Sequence, residues 1–318
     1  ESMKIPIIHN QSEYGLKWTN IDDIISLIKY YDNNKDTLFI MGNGPSLSLI
    51  MDDKDKLNYI KKYDTFGLNA SYKYYKEYDF NPTYFGCFDY AVNVSHKKNF
   101  DKLIINNKKI KKFFFIGDDK KKQYLYSEEI RNNSKFQKIN FLETNNIKLS
   151  SNFDNFINFG SSGANAVQIG IMLGYKKIIL LGCDCNYQEQ INGVVNYPEI
   201  LNGLIVEKKI NNNPNYWKED YQEVGDIFKK PNVKLYHLPA WEKIYNLCPN
   251  NIKIYNYSPN SKIPYFIKIK ELKINQENLD YIFQEQYIKC IKYYNNNFKF
   301  DYNLCSKKLI YLNQIYPE

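Results

Sequence analysis

Gly42-Asn43-Gly44-Pro45-Ser46 directly follows the apolar run Leu38 to Met41, an order of residue types that suits a strand handing a ligand to a helix. Glycine lets backbone amides approach an anion closely, and the first turn of the next helix adds the positive end of its dipole. The spacing matches neither the Walker pattern, which closes on Gly-Lys-Ser/Thr, nor Gly-x-Gly-x-x-Gly, because Leu47 stands where the third glycine belongs. On these residues alone the stretch is either a nucleotide loop or a tight strand-to-helix turn. Three further polar positions share its setting. Asn69 closes FGLN, Asp89 closes YFGCFD, and Gly160-Ser161-Ser162-Gly163 opens another helix. Asn69 and Asp89 could equally cap the helices that follow them. Asp184, after LLGC, is suited to a ribose hydroxyl or, with a second carboxylate, to a metal.

For proton transfer the histidines are His9, His96 and His237, and His237 lies near the end of VKLYHL, read as a core strand, one residue before its closing Leu238 and beside a helix start. It is a general base or a structural hydrogen-bonding residue. Tyr187, Tyr197, Tyr216 and Tyr221 lie in residues 185–232, which lack periodicity and contain NNNPNYWKEDY. So long a loop inside an α/β domain reads as a lid or a binding loop. No Ser-His-Asp order, HExxH or paired-cysteine zinc pattern is present.

The elements that must position these residues alternate. NIDDIISLIKYYDNN, residues 20–34, spaces its isoleucines as an amphipathic helix behind a capping Asn20. TLFIMG, DTFGLN (64–69), TYFGCFD (83–89) and KKFFFIG (111–117) read as strands. SSGANAVQIGIMLGYKKIILLGCD, residues 161–184, is a helix ending near Gly174 and feeding a fully buried strand, the mark of a parallel sheet covered on both sides. VKLYHL (233–238) and IKIYNYS (252–258) read as two more strands, with the helix AWEKIYNL between them. This alternation predicts an α/β, doubly wound, mostly parallel sheet. After Pro264 the texture turns to Lys, Gln, Tyr and Ile, and 276–294 reads as an amphipathic helix that packs on its own domain, on a neighbouring subunit, or on an anionic membrane.

With 43% hydrophobic residues and 30 tyrosines among 318, the chain has apolar surface enough for a folded soluble protein. Its charge of +8 comes from scattered lysine pairs, and Arg131 is the one arginine, so specific nucleic-acid reading is not expected. Six cysteines without a CxxC pair fit a reducing, cytoplasmic setting. Glu1 to Met3 reads as a tag remnant, with no signal peptide after it and no apolar run long enough to span a bilayer.

Four blocks, LFIMGNGPSL, DTFGLNASYKY, SSGANAVQIGIMLGYKKIILLGCD and IKIYNYSPNSKIPYF, resemble in the same order the signature blocks of the bacterial lipooligosaccharide sialyltransferases. They are also similar to the wider group of motility accessory factors and 6-hydroxymethylpterin pyrophosphokinase-like domains. The resemblance covers roughly residues 37–265. It implies a Rossmann-like catalytic domain of the GT-A-variant type; the patterning of the flanks places a helical segment (1–36) before it and a helical tail (266–318) after it. It further implies that Asn43, Gly44, Ser46, Asn69, Ser161, Ser162 and Gly163 hold the nucleotide of a CMP-linked donor; Gly42, Asp89 and Asp184 join them as expected nucleotide-binding residues by their own place at the strand ends. His237 matches the family's general base, and Tyr187 and Tyr197 match the tyrosines near the leaving phosphate. The sialyltransferases carry asparagine where this chain has Asp89, and arginine where it has Asn158-Phe159. NPNYWKEDY is similar to the N-H-F-x-x-D-Y stretch of the motility factors, with Tyr216 in the histidine's place.

The expected function is therefore a glycosyltransferase moving a sugar, of sialic-acid type, from a nucleotide donor to a glycan or protein hydroxyl without a metal. The alternatives are a magnesium-dependent pyrophosphokinase-like enzyme, with Asp89 and Asp184 as metal ligands, and a nucleotide-binding assembly factor without catalysis. Peripheral membrane contact through the tail and homo-oligomer formation stay open.

Overall fold

The computed structural model describes residues 4–7, 17–20, 36–116, 125–141, 149, 152–249 and 251–272. The chain divides into two compact units, one of residues 34–268 and one of 1–33 with 269–318. In the second, β1 (Lys4–Ile7) pairs antiparallel with β2 (Lys17–Asn20). The segment expected to be helical thus carries a strand pair, and Asn20 is the last residue of a strand. The rest of the expected helix at 20–34 and the tail helix at 276–294 lie outside the described residues.

The larger unit is built on an eight-stranded sheet. Its strands are β3 (Thr37–Met41), β4 (Asp64–Leu68), β5 (Tyr84–Cys87), β6 (Lys112–Ile116), β7 (Phe136–Ile139), β8 (Lys177–Leu181), β12 (Lys253–Asn256) and β13 (Ile267–Lys268). They stand in the order β13-β12-β8-β3-β4-β5-β6-β7, and every neighbouring pair is parallel. TLFIM and KIILL are buried at every position, as strands covered on both faces must be. Among the described residues the α-helices of this unit are α1 (Ser48–Met51), α2 (Lys54–Ile60), α3 (Tyr90–Asn106), α4 (Glu128–Arg131), α5 (Ser162–Met172) and α6 (Leu238–Leu247).

Strand alternation sends Phe66 and Phe114 into one core cluster with Ala164 and Val167 of α5 and Trp241 of α6. It sends Phe85 and Phe115 to the opposite face, where both meet Phe100 of α3. Each such ring contributes roughly 1.5–3 kcal/mol by leaving water. The sheet is therefore the expected doubly wound α/β layer.

From β3 the chain winds through β4 to β7, then crosses back to β8 on the other side of β3. The winding direction reverses between β3 and β8, and ligands of open parallel sheets bind at the carboxyl ends of such a pair.

Two expectations are corrected. VKLYHL is not a strand: Val233–His237 forms a π-turn running straight into α6. Asn232 caps it by accepting from the Leu235 amide at 2.9 Å, and Pro239 near the helix start favours continuing as helix. The 185–232 segment is not without regular structure. It contains β9 (Val194–Tyr197), β10 (Gly203–Val206) and β11 (Ile227–Lys229), an antiparallel sheet in the order β11-β10-β9.

Candidate functional site

The loops after β3 and β8 are locked together. Gly42 N donates to Leu181 O at 2.7 Å, Gly44 N to Gly182 O at 2.9 Å, and Ser46 N to Asp184 Oδ2 at 2.8 Å. A Cβ on Gly44 would stand 2.4 Å from Asp184 Oδ2 and 2.6 Å from Gly182 O. The glycines of GNGPS are thus needed for backbone contact between two strand ends. The Asp184 carboxylate takes the Ser46 amide that a phosphate would otherwise use. Ser46 is the second residue of a 3-10 turn, Pro45–Leu47, and a carboxylate is favoured there for the reason a phosphate would be.

What this junction leaves open are side-chain atoms. Asn43 Oδ1, Ser46 Oγ, Asn69 Oδ1 and Asp184 Oδ1 are buried without a hydrogen-bond partner in the protein. Asn43 is fixed by donating Nδ2 to Leu68 O at 3.0 Å, which ties the ends of β3 and β4. Asn69 sits at φ 54, a left-handed conformation that asparagine tolerates better than most residues. A buried polar atom without a partner costs about 1–3 kcal/mol. Four at one sheet edge are atoms that the hydrogen-bonding groups of a ligand, or ordered water, can satisfy.

The GSSG turn differs. Gly160 has φ +87, Ser161 is the N-cap of α5, and its side chain makes no capping bond. A helix start leaves its first amides without intrahelical partners, so the first turn at Ser162 and Gly163 suits an anion. Gly163 faces the ring of Trp241, and Gly160 faces Tyr236 O, which sets this turn beside His237.

His237 stacks on Tyr187 with ring centroids 4.7 Å apart. Burial lowers the His237 pKa from 6.5 to about 4 and pushes the Tyr187 hydroxyl up, so near neutrality the pair is a neutral imidazole and an intact phenol. Tyr187 lies 6.4 Å from Tyr216, which stacks on Tyr221 at 4.2 Å. The 216–221 stretch folds down on the sheet edge. Trp217 N donates to Asn43 O at 3.2 Å, Ala70 N to Tyr221 OH at 3.2 Å, and Lys73 Nζ to Asp220 O at 2.6 Å. Tyr197 stands elsewhere, half-buried on β9 with its hydroxyl donating to Glu199. Asp89 is the N-cap of α3, accepting from Val92 N at 3.1 Å.

Of the residues singled out in the sequence, the fold joins Gly42, Asn43, Gly44, Ser46 and Asp184 through direct contacts, and Tyr187 with His237. Trp217 was not singled out. Its Nε1 is buried without a partner over the same strand ends, and only its place in NPNYWKEDY signalled it. Ser258 and Ser261, in the SPNS block, were missed as well, although both bond to Cys183.

Residues 8–190 match the model of a family described as 6-hydroxymethylpterin diphosphokinase MptE-like. The chain belongs to this MptE-like family. No curated protein matches it. Among solved structures it is similar to the sialyltransferase CstII from Campylobacter jejuni in complex with cytidine-5′-monophosphate, at 15% identity over 76% of this chain and 86% of that one, TM-score 0.36. An apo alpha-2,3-sialyltransferase from Campylobacter jejuni gives 18% identity over 78% and 83%, TM-score 0.37. The MAf glycosyltransferase from Magnetospirillum magneticum AMB-1 gives 11% over 85% of this chain and 42% of that one, TM-score 0.43. The chain of this MptE-like protein thus spans less than half of that glycosyltransferase.

A diphosphokinase would bring magnesium. Among the described residues no three His, Cys, Asp or Glu side chains gather as a metal site. Magnesium bound with substrate phosphates needs one or two carboxylates, and Asp184, with Oδ1 uncommitted, fits as one. No helix among the described residues is long and apolar enough to cross a membrane.

Proposed function

We propose that this MptE-like protein is a glycosyltransferase whose donor is a nucleoside-monophosphate-linked sugar, of sialic-acid type with CMP as carrier, and whose acceptor is a hydroxyl of a glycan or protein. The observation that carries the reading is the set of buried acceptors Asn43 Oδ1, Asn69 Oδ1 and Asp184 Oδ1 at the reversal between β3 and β8. These atoms call for hydrogen-bond donors, which a ribose and an amino-bearing base possess and a phosphate lacks. The phosphate then goes to the first turn of α5 at Ser161, Ser162 and Gly163.

In the reaction the acceptor oxygen attacks the anomeric carbon and the bond from that carbon to the phosphate oxygen breaks. The phosphate leaves with the electron pair, supported by the Tyr187 hydroxyl as donor, and the acceptor proton passes to the neutral imidazole of His237. A proton acceptor held neutral suits this role. Tyr197 has no part in this version, since its hydroxyl is engaged with Glu199. A single phosphate charge also suits a site already carrying the Asp184 carboxylate, where Lys73 is engaged with the Asp220 and Tyr221 carbonyls and with Glu223. The buried thiols of Cys87, Cys183 and Cys185, outside any disulfide, fit a cytoplasmic setting.

A second reading is favoured by the family's name and by Asp184 Oδ1: a diphosphokinase in which Asp184 holds magnesium between phosphates. Thermal unfolding with CMP, CDP, UDP, GDP and ATP, with and without magnesium, separates the two. Under the first reading CMP stabilises without metal, by about 2.7 kcal/mol at a hundredfold excess over Kd. Stabilisation by ATP alone, dependent on magnesium and lost in Asp184→Asn, would replace it with the second. Binding without turnover would leave a nucleotide-binding assembly factor.

A further inference from the structure

The SPNS block, Ser258 to Ser261, has no contact role in the reading above, yet it is wired to it. Cys183 N donates to Ser258 Oγ at 3.1 Å, Ser261 Oγ donates to Cys183 O at 2.7 Å, and Lys262 N donates to Asp184 O at 2.8 Å. Both serines are fully buried, at 1% and 4% exposure, so water does not compete for these bonds. Their own geometry is fixed from below: Ser258 N donates to Asn256 Oδ1 at 3.0 Å at the end of β12, and Ile263 N donates to Ser261 Oγ at 3.2 Å. On the opposite side, the same short loop is held by the glycine contacts of GNGPS and by Ser46 N on Asp184 Oδ2. Cys183 and Asp184 are thus clamped between two sequence-distant blocks, and the carboxylate is oriented with Oδ2 spent and Oδ1 uncommitted.

We infer that Ser258 and Ser261 are positioning residues for the donor: they set the Cys183-Asp184 backbone so that Asp184 Oδ1 faces the nucleoside, without touching it themselves. The inference rests on the proposed nucleotide site for its affinity consequence, but its geometric core does not need a ligand.

The test therefore has two arms, run on the full chain. Hydrogen-deuterium exchange of the peptide covering residues 42–48 reads whether Asp184 still holds the Ser46 amide. Ser261→Ala should speed exchange there about tenfold while a peptide from β6 exchanges as before. Equal acceleration everywhere, or none at 42–48, overturns the inference. In the second arm CMP affinity is measured for the parent, Ser261→Ala, Asp184→Ala and the double variant. Ser261→Ala should weaken CMP about tenfold in the parent and less than twofold where Asp184 is already gone. An equal loss in both backgrounds means that Ser261 acts by general destabilisation and overturns the inference. If CMP binds none of the four proteins, the donor reading fails, and the exchange arm still decides the clamp. Ser258→Ala repeats both arms if Ser261→Ala does not fold.

Discussion

GNGPS and GSSG are both glycine- and serine-rich junctions leading into a helix, and on residue type both suit an anion. Their structures separate them. At the first, the amides of Gly42, Gly44 and Ser46 are spent on Leu181, Gly182 and Asp184. At the second, the N-cap Ser161 makes no side-chain bond and its glycines make no backbone lock with another strand. The lesson is that a glycine loop can be built for chain-to-chain approach, and that an internal carboxylate can occupy the position a phosphate would take. Under the proposed function the phosphate then falls to the other junction.

The largest expected effect tests the locked side. In Gly44→Ala the new methyl meets Asp184 Oδ2 at 2.4 Å and Gly182 O at 2.6 Å, and the backbone atom cannot rotate away. Overpacking of this kind should cost about 3 kcal/mol or more, a fall in Tm of roughly 10 °C for a domain this size. Gly160→Ala, whose nearest atom is 3.9 Å away, should cost only the strain of its positive φ, about 1–2 kcal/mol. Equal losses in calorimetry would mean that the two junctions are not built differently.

The next effect belongs to the open side, through His237. Its folded pKa of about 4 lies below the ordinary 6.5, so the unfolded chain binds a proton between those values and the folded chain does not. Stability is thus fully present above pH 6.5 and falls as the pH drops toward 4, by at most about 3 kcal/mol. His237→Gln should flatten denaturant-derived stability across that window. An unchanged slope would show that His237 is not held neutral beside α5.

These contrasts explain what the sequence could disclose. Runs such as TLFIM and KIILL announce buried parallel strands because every residue is apolar, and GLY-rich ends announce the sheet edge. The burial of the Asn43, Asn69 and Asp184 oxygens was not legible, since it depends on which loops meet after the chain crosses from β7 back to β8. VKLYHL alternates like a strand, yet Leu235 is 66% exposed and the segment coils, because Asn232 caps it and Pro239 follows. β7, FQKI, and the strands of the 185–232 segment are only three or four residues long, too short to show a strand period, and they form by pairing with neighbouring strands.

The smallest effect is a difference of sign. Ser161→Asp places a carboxylate at the N-cap of α5, where no side-chain bond exists and the dipole is positive, and should raise unliganded stability by about 0.5–1 kcal/mol. The same charge should repel a nucleotide phosphate and weaken CMP. Ser46→Asp puts its carboxylate beside that of Asp184, with its side-chain oxygen position buried, and should destabilise the unliganded protein instead. Chemical denaturation of the two variants reads both signs. Stabilisation by Ser46→Asp, or destabilisation by Ser161→Asp, would reverse the assignment of the two junctions and return the phosphate to GNGPS.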